Sequence, residues 1–391
     1  MGNKVVVVGG GAAGLVAAIN SARNGAYTVV LEKNDRVGKK ILATGNGRCN
    51  YTNVNAKADD YNSDFVSFAM NKFSPQNIID FFEEIGIIPK IEDEGRVYPM
   101  SCQASSVLDV LRAEAQRLGV YLKTDFLVKE INRKDGGFNI LSSSNEKIYA
   151  DKVILSTGGL ASPKSGSDGA GFKILKNFGH TVTELKPSLC PLLTDKGVHG
   201  VRQYGRVTLN KKYSQIGEIQ FNKDSISGIP VFNLARYASV GDCILVDFLP
   251  DYAYEQVIDI LRNRPVQTME SFLVGILNKN LSYALLKDVG ISPLSIMSDS
   301  LTEGQIHKIA DVLKGWQLNV TGLVPWDNAQ VTKGGISLDE INNETMESKL
   351  VKGLYVAGEL CDVDSRCGGY NLQWAWASGL LAGREAARCI D

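Results

Sequence analysis

Residues 4–8 read KVVVV, and three glycines follow as Gly9-x-Gly11-x-x-Gly14. A run of β-branched residues suits a strand buried on both faces of a parallel sheet. LVAAINSARNG comes next, a small-residue helix ending at Gly25, and then YTVVLEK, an apolar strand ending in Glu32. Strand, glycine turn, helix and strand within about 30 residues make a βαβ unit. In such a unit Gly9 permits the tight turn. Gly11 lets backbone approach a pyrophosphate, and Gly14 lets helix and strand pack closely. The phosphates sit on N–H groups at the helix N-terminus, where the dipole favours negative charge. Glu32, 23 residues after Gly9, can accept both ribose hydroxyls of an adenosine and would repel a 2′-phosphate. The pattern predicts an α/β chain that binds a dinucleotide.

Glycine makes up 39 of the 391 residues, and the excess is gathered in a few blocks. VGKKILATGNGRCNYTN, between Val37 and Asn53, holds Lys39, Lys40, Gly47, Arg48 and three asparagines. It is too punctuated for regular structure, and its cations suit a diphosphate and an aromatic ring. ILSTGGLASPKSGSDGAGF (residues 154–172) carries Thr157, Gly158 and Gly159. No acid-ended strand follows it, so it reads as a loop pressed against the first cofactor rather than a second nucleotide well. GLYVAGELCDVDSRCGGYNLQWAWASG (353–379) runs from a strand ending at Gly358-Glu359, through Gly369, to a helix spanning about Leu372 to Cys389. An acid at that strand end can hold ribityl hydroxyls, and the helix N-terminus can stabilise negative charge on a reduced flavin. Trp374 and Trp376 read as core.

Elsewhere, residues 75–86 and 104–118 have helical spacing, and VYLKTDFLVKEI, GGFNIL and KVILSTGG read as strands. Beyond Pro187–Pro191 the pattern changes to short alternating stretches, VRQYGRVTLN, GEIQFN and DCILVDFLP, as in a small antiparallel sheet or barrel. YEQVIDILRN, MESFLVGILN, LSYALLKDVG and EGQIHKIADVLKGW then read as helices. The implied organisation is a Rossmann-type domain from both chain ends (1–190 and 325–391). A β-barrel-like insert (191–250 and 317–324) and a helical insert (251–316) interrupt it.

Several function classes are disfavoured. The net charge of −1 argues against a strongly basic nucleic-acid binder. The seven cysteines (Cys49, Cys102, Cys190, Cys243, Cys361, Cys367 and Cys389) contain no C-x-x-C, so no metal site is expected. Reduced thiols in a cytoplasmic protein are the expectation, without a disulfide between Cys361 and Cys367. No signal peptide is apparent, and no apolar run reaches about 18 residues without polar interruption, so no membrane span is expected. His180, His199 and His307 are the only histidines, and none lies in a motif block.

The four blocks together resemble the bacterial BaiN/RdsA flavoproteins, also called aminoacetone oxidase family FAD-binding enzymes. GNGRCNYTN, TGGLASPKSGSDGAGF, AGE…GGYNLQWAWASG and GGISLDEINNETMESK (334–349) match that pattern over essentially the whole chain. The resemblance implies non-covalent FAD and oxidoreductase activity. By this likeness Gly9, Gly11, Ala12, Ala13 and Gly14 carry the pyrophosphate, and Glu32 and Lys33 face the ribose. Val128 meets the adenine through backbone. Arg48, Cys49 and Asn50 lie by the flavin, Gly358 and Glu359 hold the ribityl chain, and Asn371, Leu372 and Gln373 reach the ring. Cys49 is expected to be a spectator thiol.

The family name and the single nucleotide fingerprint point first to oxidation of a small primary amine. Aminoacetone and O2 would give methylglyoxal, ammonia and hydrogen peroxide. The alternative is an NAD(P)H-dependent reductase of a carbon–carbon double bond, with nicotinamide visiting the flavin without its own well. A flavin-holding redox sensor without turnover is the third reading. No residue is assigned as catalytic base.

Overall fold

The computed structural model describes residues 3–388, so Cys389 lies outside the described residues. The chain divides into two compact units: residues up to Pro187 together with those from Gln330 onward, and Ser188–Ala329.

The first unit contains β1 (Lys4–Val8), α1 (Ala12–Arg23), β2 (Tyr27–Leu31), α2 (Lys39–Ala43), β3 (Thr52–Asn53), β4 (Pro89–Ile91), β5 (Arg96–Pro99) and α3 (Ala104–Arg117). β6 (Tyr121–Lys123), β7 (Lys152–Leu155), α4 (Ala170–Asn177), β8 (Leu354–Val356) and α5 (Tyr370–Ala387) follow. Five strands form one parallel sheet in the order β8–β7–β1–β2–β6. Val5 to Val7 are fully buried, as a strand covered on both faces requires, and each such valine contributes roughly 1.5–3 kcal/mol. Val8 pairs with both Leu155 and Leu31, and Leu155 pairs with Val356. The carboxyl ends of four strands therefore align, and Gly9, Glu32, Ser156 and Ala357 leave the sheet along one edge. In open α/β sheets that edge is where ligands bind.

Helix α5 is buried almost all round and packs on α1. A Cβ on Gly379 would stand 2.4 Å from the Ala13 carbonyl oxygen, and one on Gly383 2.1 Å from that of Ala17. Two glycines four residues apart thus let the helix backbones touch.

Four local readings change. Residues 38–53 are not irregular throughout: α2 and a tight turn over Thr44–Gly47 precede β3. VYLKTDFLVKEI is two strands, because the chain turns at Asp125 (φ +54°) and crosses the end of β2, with Phe126 N bonded to Glu32 O. MESFLVGILN is helical only over Met269–Phe272, since Gly275 takes φ +95°. The last helix begins at Tyr370, two residues earlier than its spacing suggested.

In the second unit six strands close a barrel in the order Leu192–Thr194, Ser225–Ser227, Tyr213–Phe221, Val201–Leu209, Cys243–Asp247 and Trp316–Leu323. Phe221, Phe248 and Trp316 pack together inside this unit. Helices Tyr254–Arg262, Lys279–Asp288 and Glu303–Gly315 belong to it too. Among the described residues no helix is long and apolar enough to cross a membrane.

Candidate functional site

The three glycines of the first block have different reasons to be glycine. A Cβ on Gly9 would meet Ser156 O at 2.6 Å, and one on Gly14 would meet Gly9 O at 1.9 Å. Those two are required by the polypeptide itself. A Cβ on Gly11 would meet nothing within 4 Å. Its open face lies at the N-terminus of α1, which has no side-chain cap and no acid in its first turn. The N–H groups of Ala12, Ala13 and Gly14 precede the first intrahelical bond, Leu15 N to Gly11 O, so they point outward unpartnered by the helix.

Glu32 ends β2 and is buried at 8% exposure. Its Oε2 accepts from Gly10 N at 2.9 Å, and its Oε1 accepts from the backbone and side-chain nitrogens of Asn34. These bonds orient the carboxylate and leave it further lone pairs. A partly open cleft of about 50 Å³ lies beside it. Gly9, Glu32, Lys33, Val128 and Thr157 all line it, as do Phe126 and Ile174. The Thr157 hydroxyl is buried without a hydrogen-bond partner. Lys33 Nζ meets Asp168 at 2.6 Å on the rim. Burial works to raise the Asp168 pKa, but the Lys33 ammonium and the Ala170 N–H outweigh it and hold the carboxyl below its usual range.

A second group forms where α2 meets the ends of β7 and β8. Lys40 Nζ donates to Glu359 Oε2 at 2.7 Å and to Ala161 O at 3.1 Å, while Thr332 N donates to Glu359 Oε1 at 2.7 Å. A Cβ on Gly159 would stand 3.2 Å from Glu359 Oε1, and Gly158 lies beside Ser167. A Cβ on Gly358 would meet Ala13 at 2.8 Å, so the ends of β8 and the α1 turn are neighbours. Gly47 has φ +81° and open space around it.

A third group joins the two most specific blocks, about 320 positions apart in the chain. Asn53 Nδ2 donates to Gly368 O, Trp376 Nε1 to Tyr51 O, and Thr52 Oγ1 to Gln373 Oε1. This bracing occupies two of the side chains expected near the ring. Gln373 is fully buried, with its amide used by Thr52 and Phe73 O. The Asn371 amide is bonded to Ser365 and Arg366 backbone. Neither side chain is left to reach a ring, and that of Leu372 packs on the core; the backbone N–H groups of Asn371 and Leu372 in the first turn of α5 have no intrahelical partner, whereas Gln373 N bonds Gly369 O. Arg48 is likewise held, bonded to Glu92 Oε1 at 2.5 Å and stacked 4.0 Å over Tyr98. Cys49 is fully buried, and burial pushes its thiol up to about 12, which removes it from nucleophilic chemistry. Asn50 is 7% exposed and its Oδ1 has no partner.

Sequence reasoning missed Thr332, Asp168 and Asn34. Asp168 sits inside a quoted block, but nothing in the spacing marks Thr332. His180 is structural: its ring bonds Glu340 and Ser348 and its side chain is fully buried. Tyr370 is 4% exposed, and its hydroxyl accepts from Arg366. Among the described residues, no group of three or more His, Cys, Asp or Glu side chains could hold a metal ion.

The family model described as "HI0933-like protein Rossmann domain" matches residues 3–385. The chain belongs to this family. Its members include the BaiN/RdsA-type FAD-dependent oxidoreductases that the motif blocks resemble. A relative from Clostridium scindens, named 3-dehydro-bile acid delta(4,6)-reductase, is 38% identical over 98% of this chain and 99% of its own. A relative from Haemophilus influenzae, named ribosomal RNA dihydrouridine synthase, is 28% identical over 98% of each chain. Among solved structures, the open conformation of a flavocytochrome c3 fumarate reductase aligns with TM-score 0.54 at 17% identity, covering 98% of this chain and 78% of its own. At that identity the likeness concerns the fold.

Proposed function

We propose that this HI0933-like protein is an FAD-dependent reductase of an activated carbon–carbon double bond, with electrons delivered by NAD(P)H. The observation that carries the reading is the end-to-end 38% identity with a relative named as a delta(4,6)-reductase. The Haemophilus relative's name, dihydrouridine synthase, also denotes saturation of a carbon–carbon double bond. Amine oxidation with peroxide release, the first expectation from the motifs, has no support among these relatives.

The residues present fit FAD. The open face at Gly11 and the buried, unpartnered Thr157 hydroxyl are features the polypeptide alone does not require. In this reading the α1 turn (Gly9 to Gly14) holds the pyrophosphate, and Glu32 and Lys33 face the ribose. Val128 and Thr157, with Phe126 and Ile174 on the same cleft, would hold the adenine. Lys40, Gly158, Gly159, Gly358 and Glu359 surround the ribityl chain. Gly47, Arg48, Cys49 and Asn50, with Gly369 and the backbone of Asn371, Leu372 and Gln373, border the ring. FAD, when bound, supplies hydride transfer. The chain's own contribution is to bind and orient: Lys40 keeps Glu359 aimed, and the α5 first turn would direct N–H groups at developing negative charge.

Anaerobic stopped-flow absorbance on the purified protein tests this. NADH or NADPH should bleach the flavin, and a 4-en-3-one steroid should restore its colour without air and leave a saturated product. Bleaching by aminoacetone instead, with peroxide on admitting air, would return the protein to the oxidases.

A further inference from the structure

One face of the small antiparallel sheet β3–β5–β4 carries a charged cluster that the FAD reading leaves unexplained. Lys90 on β4 pairs with Tyr98 on β5, and the Arg48 guanidinium lies 4.0 Å over the Tyr98 ring. That guanidinium passes over its sequence neighbour, the fully buried Cys49, and reaches a thiol 54 positions further on. Arg48 Nη2 stands 3.6 Å from Cys102 Sγ, and Lys90 Nζ stands 3.8 Å from it. The same two cations share Glu92 Oε1, at 2.5 Å and 2.9 Å. Lysine has three N–H bonds and arginine five, so both keep donors beyond these two partners.

The charges in this group do not balance. Arg48 and Lys90 are positive and Glu92 is negative, so the cluster is short of one negative charge, which a thiolate at Cys102 would supply. Cys102 also directly precedes Gln103, the N-cap residue of α3, a 14-residue helix with no side-chain cap and no acid in its first turn. Lysine, arginine and a helix N-terminus each favour the nucleophilic form of a thiol. The thiol is partly exposed, so a molecule from solution can reach it. Apolar surface lies on the same side. Met100 N donates to Ile88 O at 2.8 Å, continuing the β4–β5 pairing, and the two side chains are 54% and 66% exposed. Side chains two residues apart share a face, so Ile88 and Met100 stand with Lys90 and Tyr98. A ligand for this place has an electrophilic carbon, an oxygen that gathers negative charge, and an apolar body.

We infer that Cys102 is a covalent site for α,β-unsaturated carbonyl compounds, with Arg48 and Lys90 as donors to the carbonyl oxygen. In this addition the sulfur lone pair forms a bond to the β-carbon. The C=C π pair shifts to leave negative charge on the carbonyl oxygen, where the two cations stabilise it. A proton from water then ends on the α-carbon and replaces the one the thiol gave up. The product is a thioether, and the addition needs no oxidant or reductant. The site does not depend on the FAD reading.

The experiment labels the full-length protein at pH 7 and follows each cysteine by mass spectrometry. N-ethylmaleimide is the conjugated carbonyl, and iodoacetamide is an electrophile without a C=C bond. Cys243, also partly exposed but with no cation at its sulfur among the described residues, is the internal reference. N-ethylmaleimide should label Cys102 about tenfold faster than Cys243 or more, and this advantage should be smaller with iodoacetamide. Lys90→Gln should slow the Cys102 reaction about two- to fivefold. Glu92→Gln, which releases both cations to the sulfur, should speed it, and neither variant should change the rate at Cys243. A packing role alone would not move the rate in opposite directions. Labelling of Cys102 no faster than Cys243, or a Cys102 rate unchanged by either substitution, would overturn the inference. An equal advantage with both reagents would also overturn it, by removing the role of the carbonyl.

Discussion

Gly11→Ala separates folding from ligand binding more cleanly than any other change in the first block. The native φ of −83° and ψ of −164° are ordinary for alanine, and the new Cβ meets no protein atom within 4 Å. The cost to the apoprotein is that of alanine for glycine at an uncapped helix N-cap, roughly 0.5–1 kcal/mol. In a chain of this size that is a fall of only about 1 °C in Tm. The methyl group instead fills the space through which a pyrophosphate would reach the Ala12 and Ala13 N–H groups. The expected loss in FAD affinity is about ten- to a hundredfold, or roughly 1.4–2.8 kcal/mol. Gly14→Ala is the control with opposite behaviour. Its Cβ would lie 1.9 Å from Gly9 O, so strand and helix must part, at about 1–3 kcal/mol or more. Thermal melts of the apoproteins and FAD titrations measure both quantities. If Gly11→Ala melts as low as Gly14→Ala, or binds FAD as tightly as wild type, the argument from open space is wrong.

Three further outcomes are expected. Gln373→Leu strands the Thr52 hydroxyl and the Phe73 carbonyl in the core and should cost about 2–4 kcal/mol of stability; an unchanged apoprotein melt would show that Gln373 is not a brace. Cys49 and Cys361, whose thiols burial pushes to about 12, should resist iodoacetamide at pH 8 until the chain is unfolded, and mass spectrometry of the native protein would contradict this by finding either alkylated. Glu114 is held at about 2 by Arg117, with Arg23 adding to it. A depressed carboxyl stabilises the fold above its unfolded pKa and loses that contribution as the pH falls. The melting-temperature gap between wild type and Glu114→Gln should therefore be full at pH 7 and close between pH 4.5 and 2; a gap independent of pH would refute the assignment.

Legibility followed the range of the interactions. The βαβ unit reads directly because its determinants are local: four valines, three spaced glycines and an acid at a strand end. Gly9 and Gly14 have the close backbone contacts that this spacing requires. The strand alternation beyond Pro191 likewise lies in a set of strands that closes a barrel. The GNGRCN and GGYNLQWA blocks were recognisable as blocks, but their individual side-chain roles were not. Asn371, Leu372 and Gln373 are adjacent polar and apolar residues on a helix buried nearly all round. Such a helix has no apolar stripe to say which way each residue turns.

What the sequence determined by itself is therefore the sheet's founding unit, the glycine turn beside it, and the family to which the motifs belong. The tertiary structure decided which of the remaining motif residues are available for chemistry. Gln373 is consumed because Thr52, more than 300 positions away, pairs with it. Asn50 is left with an unpartnered oxygen where β3 is pinned to α5, lodged beside Gly369. No local propensity encodes either fact: each depends on where a distant strand docks, and a buried amide has a partner or lacks one only once the whole core is packed.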